Sequence, residues 1–253
     1  MTAGVLAGKV ALITGAGQGV GLGIAQAYAA AGANLVITGR DAAKLETAAA
    51  ELRKLGVEVE CVAGDVCQRA TAERDVVAAM SRFGRIDVLV NNAQSSVPFV
   101  PLEQIDDATI EMTIGSGLYG TLYHMQAAFP HMKEAGGSII NLGSREGEYG
   151  GIGFGIYAAA KEGIRGLSRT AAREWGKHQI RVNVICPAAL SPAAKTFLES
   201  HPKEAEHYLS QVALGHFGDS LEDIGPVAVF LASAASKYVT GQTINVDGGQ
   251  MML

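Results

Sequence analysis

The stretch Val10-Ala-Leu-Ile-Thr14-Gly15-Ala16-Gly17-Gln18-Gly19-Val20-Gly21 decides how this chain folds. Its apolar start shows no alternation and reads as a strand buried on both faces. The glycines that follow allow the backbone to turn sharply and to approach a ligand closely. An Ala-rich segment then reads as a helix to about Ala31. Strand, glycine loop and helix in this order place backbone amides and a helix amino terminus where they can hold a pyrophosphate. Gly15, Gln18, Gly19, Val20 and Gly21 are the candidate contacts.

The same alternation continues outward from this stretch. Strands are expected at 34–38, 57–63, 87–91, 138–142, 180–186 and 243–246. Helices are expected at 42–55, 69–83, 102–113, 118–134, from the Tyr157 segment to about Gly176, and at 221–231. Asp41 is placed to cap the second helix. Apolar strands separated by helices imply an α/β fold, one doubly wound Rossmann-type domain with a mostly parallel, seven-stranded sheet. No linker-like composition shift or repeat divides the 253 residues. Ligands of such sheets bind at the carboxyl ends of the strands. That brings together Gly15 to Gly21, Asn91 to Gln94, Gly143 to Ser144, and the segment from Pro187. Residues 188–217 are expected to form a lid with short helices.

Composition narrows the function. Hydrophobic residues make up 48% and charged residues 18%, against disorder. A net charge of −5 opposes nucleic-acid binding, which needs a basic face. No apolar run is long enough for a membrane span, and the start of the chain lacks a signal-peptide pattern. Cys61, Cys67 and Cys186 are scattered and fit a reduced, cytoplasmic protein. The six histidines show no ligand spacing, so no metal site is expected.

Chemistry resides in Ser144, Tyr157 and Lys161. Three residues separate Tyr157 from Lys161, so a helix projects phenol and amine from one face, one turn apart. An ammonium there favours the phenolate and is expected to lower the phenol's pKa. A tyrosine tuned in this way serves acid/base chemistry near neutral pH.

With Thr14-Gly15-x-x-x-Gly19-x-Gly21 joined to Ser144, Tyr157 and Lys161, the chain resembles the classical short-chain dehydrogenases/reductases over nearly its whole length. Asp65-Val66, Asn91-Asn92-Ala93, Asn183, Pro187, Gly241 and Asp247-Gly248-Gly249 match further family positions. The resemblance implies hydride transfer between a nicotinamide nucleotide and a ketone, aldehyde or alcohol. Tyr157 would be the acid/base, Ser144 would hold the substrate oxygen, and Lys161 would bond the nicotinamide ribose. It implies cofactor contacts from Asp65, Val66, Asn92, Ala93, Tyr157, Lys161, Pro187, Ala188 and Leu190, with Gln94, Ser144 and Tyr157 toward the substrate. It also implies a homodimer or homotetramer built on the Tyr157 helix and the helix from Leu118. A chain of this fold that binds nucleotide as a regulator or scaffold is the alternative.

NADP(H) is favoured over NAD(H). Gly39 stands where NAD-preferring members carry an acidic residue, and the Arg40 guanidinium beside it suits a 2′-phosphate. The family pattern is broken at three points. Gly117 occupies the position of an asparagine that helps hold a water linking the lysine to solvent. Gly115 and Gly117 together suggest a kink or a close approach there. Gln94 replaces the last glycine of Asn-Asn-Ala-Gly, and Ala188 replaces the glycine after Pro187. Ser116 or an ordered water is able to stand in for the asparagine.

Overall fold

In a computed structural model, residues 4–190, 198–200 and 202–252 are described. Seven strands form one parallel sheet: β1 (Val10–Thr14), β2 (Asn34–Gly39), β3 (Val59–Ala63), β4 (Val88–Asn91), β5 (Gly137–Leu142), β6 (Ile180–Pro187) and β7 (Thr243–Val246). Their order is β3-β2-β1-β4-β5-β6-β7. The order reverses at β1, which pairs with β2 on one side and β4 on the other. A crevice therefore opens above the β1 and β4 carboxyl ends, where the connections diverge to opposite faces.

Helices cover both faces. They are α1 (Gly19–Ala30), α2 (Ala42–Arg53), α3 (Arg69–Phe83), α4 (Asp107–Ile114), α5 (Gly120–Met132), α6 (Arg145–Tyr149), α7 (Gly155–Trp175), α8 (Pro202–Ser210) and α9 (Gly225–Ala232). Strand side chains alternate between two cores. Ala11, Ile13, Leu35 and Ile37 pack toward α1, α2 and α9; Leu12, Val36, Leu89 and Ile139 pack toward α3, α5 and α7. Removing each such Leu or Ile from water contributes about 1.5–3 kcal/mol. Both-face burial explains why these strands lack polar alternation.

Helix starts follow local chemistry. Asp41 accepts a hydrogen bond from the Lys44 amide at 3.1 Å, as its position implied. Asp106 does the same for Thr109 at 2.8 Å, starting α4 later than the expected 102. Between α4 and α5, residues Gly115–Tyr119 form a π-helical turn, the kink that the paired glycines suggested. At the opposite end of the sheet Asp87 ties the loop before β4 to the start of β1. It accepts from Lys9 at 2.9 Å, from Arg85 at 2.7 Å and from the Val10 amide at 3.0 Å.

Of the expected lid at 188–217, residues 191–197 and 201 lie outside the described residues; Pro202–Ser210 is helical.

Candidate active site

Thr14 and Asn92 shape the floor of the crevice. The Asn92 and Ala93 amides each donate to Thr14 Oγ1 at 3.0 Å. Asn92 Nδ2 donates to the Thr14 carbonyl at 2.9 Å and to the Gly15 carbonyl at 3.2 Å. These bonds clamp the glycine loop to the end of β4. Gly15 has φ +69°, and a Cβ there would lie 2.9 Å from Asn92 Nδ2. A Cβ on Gly21 would lie 2.5 Å from both that atom and the Gly15 carbonyl oxygen. Gly21 thus permits this close packing rather than lining the cavity.

The floor fits a dinucleotide pyrophosphate. Gln18, ahead of α1, makes no side-chain cap, so the first-turn amides are not satisfied by a cap. A helix start of this kind favours an anion. The cavity above it measures about 680 Å³ and is lined by Gly15, Gln18, Gly19, Val20, Arg40, Asp65, Val66, Asn92, Ala93, Gln94, Ser144, Tyr157, Lys161 and Pro187, among others. Residues widely separated in sequence thus meet in one space, as the strand ends required. Ala188 instead lines a neighbouring cavity with His216 and Asp247. Ala189, which the sequence did not single out, takes its place beside Pro187. Leu190 lines neither cavity.

At the far end, Lys161 is fully buried within α7, and its ammonium donates to the Leu142 carbonyl at 2.7 Å. It also lies 5.5 Å from the Tyr157 ring centroid, the one-turn relation expected of the pair. Burial lowers the Lys161 pKa to about 8. The expected lowering at Tyr157 is reversed. Burial pushes the phenol up, Glu146 adds to this, and a hydrogen bond with Ser144 only partly offsets it. Desolvation sets the direction because the buried phenolate loses its water, while the Lys161 ammonium is held by the Leu142 carbonyl.

Ser144, two residues beyond β5, caps α6, its Oγ accepting from the Glu146 amide at 3.1 Å. The segment that follows is this short helix. Arg145 pairs with Glu146 at 3.1 Å, and neither they nor Tyr149 line the cavity. Glu148 reaches the Arg165 guanidinium at 3.2 Å and accepts from Asn245 at 3.3 Å, binding α6 to α7 and β7.

Lys44 is among the cavity residues that the sequence did not single out, with Leu45, Ser95, Met112 and Ala189. Lys44, on the first turn of α2, lines the adenosine end beside Arg40, and its ammonium donates to Gln18 Oε1 at 3.1 Å. Its signal was position: Asp41 fixes the start of α2 and so aims Lys44 at the loop.

The fold and this cavity define a nucleotide-dependent oxidoreductase. The family model described as enoyl-(acyl carrier protein) reductase matches residues 15–251. The 12α-hydroxysteroid dehydrogenase of Clostridium sp. (strain ATCC 29733 / VPI C48-50) is 47% identical over 253 residues, covering 97% of this chain and 98% of that one. The structure of a 7α-hydroxysteroid dehydrogenase complexed with NADH and 7-oxo glycochenodeoxycholic acid superposes with a TM-score of 0.92 at 30% identity, covering 98% and 97% of the two chains. A blue fluorescent protein from a metagenomic library, in complex with NADPH, superposes with a TM-score of 0.89 at 31% identity, covering 98% and 99%. The chain belongs to the short-chain dehydrogenase/reductase family.

Proposed function

We propose that this chain is an NADP(H)-preferring oxidoreductase that interconverts a ring ketone and a secondary alcohol on a bulky, steroid-like substrate. The observation that carries the reading is the single cavity that joins the glycine loop to Ser144, Tyr157 and Lys161. The bound nucleotide supplies hydride chemistry. Gly15, Gln18, Gly19 and Val20 would hold its pyrophosphate, and Arg40 with Lys44 its 2′-phosphate.

The side chains then manage one proton. With its pKa raised, Tyr157 is a neutral phenol at pH 7 and so a competent donor to the oxygen of a carbonyl being reduced. Ser144 Oγ, at the start of α6, holds that oxygen as charge develops. Lys161, lowered to about 8, can exchange a proton near neutral pH while its bond to Leu142 fixes it beside the phenol.

Two loops support a large apolar substrate. Phe99 stacks edge-on to Phe154 with centroids 5.3 Å apart, and Phe154 meets Tyr157 at 6.0 Å. The Val100 amide donates to the Gly153 carbonyl at 3.1 Å, joining the loops. Val97, Phe99, Leu102 and Ile152 remain exposed along them. The result is an aromatic file ending at the phenol, with apolar surface at its outer end. The 47% identical hydroxysteroid dehydrogenase agrees with a ligand of that shape.

The test is NADPH oxidation with 12-oxo and 7-oxo bile acids, cyclohexanone and a linear ketone. Cyclohexanone matching the steroids in kcat/KM would refute the substrate class. Tyr157→Phe should abolish turnover while NADPH still titrates normally; substantial residual turnover would reject Tyr157 as the acid/base. The family resemblance also implies pairing of copies through α5 and α7. Light scattering after size exclusion tests this, and a monomer would count against it.

A further inference from the structure

α6 carries little that could hold it in place. It runs for five residues, and its one hydrophobic side chain, Tyr149, is exposed. A helix this short does not persist on propensity alone. Yet its start lies against the acid/base pair. Ser144 caps it, and the Ser144 hydroxyl shares a hydrogen bond with the Tyr157 phenol. Whatever seats α6 therefore seats that hydroxyl.

The seat is polar and centres on Arg165, one turn beyond Lys161 on α7. Its Nη1 donates to both carboxylate oxygens of Glu162, at 2.8 and 3.0 Å, and its Nε to Thr243 Oγ1 at 3.3 Å. Its Nη2 lies 3.2 Å from Glu148 Oε1, in an ion pair whose carboxylate side chain is 4% exposed. Asn245 Nδ2 donates to the second Glu148 oxygen at 3.3 Å. One guanidinium and one buried carboxylate thereby join α6, α7 and β7. The approach is close: a Cβ on Gly147 would lie 2.7 Å from Glu162 Oε1 and 3.3 Å from Lys161 Cβ. α6 rests directly on the turn of α7 that carries Lys161.

We propose that Arg165 is a positioning residue: through Glu148 it locks α6 onto α7 and so holds the Ser144 hydroxyl in line with the Tyr157 phenol. Neither Arg165 nor Glu148 lines the cavity, so their effect on the reaction passes through Ser144. Glu146, Cys186 and Lys161 are the ionisable groups around the phenol, and Arg165 and Glu148 stand outside that set. The inference rests on the oxidoreductase reading above.

Arg165→Met keeps the aliphatic stem and removes the guanidinium. In NADPH-dependent reduction of a 12-oxo bile acid it should lose about 10- to 100-fold in kcat, with KM for NADPH nearly unchanged. The limb of the kcat profile that reports Tyr157 should move to higher pH, as it should in Ser144→Ala, because the hydrogen bond that holds it down is lost. In a Ser144→Ala background Arg165→Met should cost little more, the signature of two residues acting as one. Glu148→Ala should copy the loss, and Glu148→Gln, which keeps an acceptor for Arg165, should restore most of the activity. Arg165→Met leaves a buried carboxylate without its cation, so Arg165→Met/Glu148→Met, which removes both charges, is measured beside it and should show the same loss. Wild-type kcat in that folded double variant would overturn the proposal, as would an unmoved Tyr157 limb or an equal Arg165→Met loss with and without Ser144. A wild-type protein that binds NADPH but reduces no carbonyl would instead overturn the oxidoreductase reading, and the positioning role with it.

Discussion

Nucleotide preference should rest on the two cations at the adenosine end. Arg40 is exposed, forms no ion pair among the described residues, and lines the cavity beside Lys44. A guanidinium–phosphate pair in a dry site contributes about 1.5–3 kcal/mol. Exposure and screening reduce that to about 1.4 kcal/mol here. At about 1.4 kcal/mol per decade, Arg40→Ala should cut the preference for NADPH over NADH roughly tenfold. Lys44 is already held by Gln18, and its removal should cost about 0.7 kcal/mol, or roughly threefold. Together they should lose about thirtyfold, if the two act independently. Gly39→Asp is the complementary change. A Cβ there meets Leu45 Cδ2 at an ordinary 3.5 Å, so the carboxylate fits and would repel the phosphate. The assay is fluorescence titration of both nucleotides at low salt and at about 1 M, where the screening length falls to about 3 Å. NADPH affinity should fall with salt and NADH affinity should hold. Equal weakening of both nucleotides by Arg40→Ala would refute the reasoning.

Two other outcomes are expected. Asp87 is pulled down in pKa because hydrogen bonds from Arg85, Lys9 and the Val10 amide outweigh the upward push of burial. Its stabilisation is then complete above the unfolded carboxylate value of about 3.9 and is lost as pH falls through the lower folded value. Asp87→Asn should cost about 2 kcal/mol in urea melts at pH 7 and almost nothing below the folded value; a pH-independent difference would contradict the ion-pair account. Gly21→Ala forces a Cβ to within 2.5 Å of two atoms, so it should destabilise by about 1–3 kcal/mol and weaken NADPH at least tenfold. Unchanged melting and binding would show that the clamp yields freely.

Most of the fold was legible because strand burial leaves a direct trace. Val10–Thr14, buried throughout, has the bounds its apolar run implies, and Arg69–Phe83 ends at Gly84, whose φ of +72° stops the helix. The site's membership was legible for the same reason, since every strand ends at one rim. What sequence could not show was energetics and contact. The phenol's pKa depends on how deeply α6 and α7 bury it, so reasoning from the nearby lysine alone gave the wrong sign. Residues 145–149 are too short for a periodic signal, and only the Ser144 cap reveals the helix. A Cβ on Gly117 would lie 2.7 Å from Gln94 Nε2, a meeting of helix turn and loop that no local pattern encodes.

Asn92 carries a consequence for how the sequence can vary. One amide nitrogen bonds two carbonyls of the glycine loop and also fills the space beside Gly15 and Gly21. Those positions, on a loop, a helix and a strand end, pack as a single unit, so a change at any one disturbs the others. Tolerance to mutation here is set by one side chain rather than by the glycines it shelters.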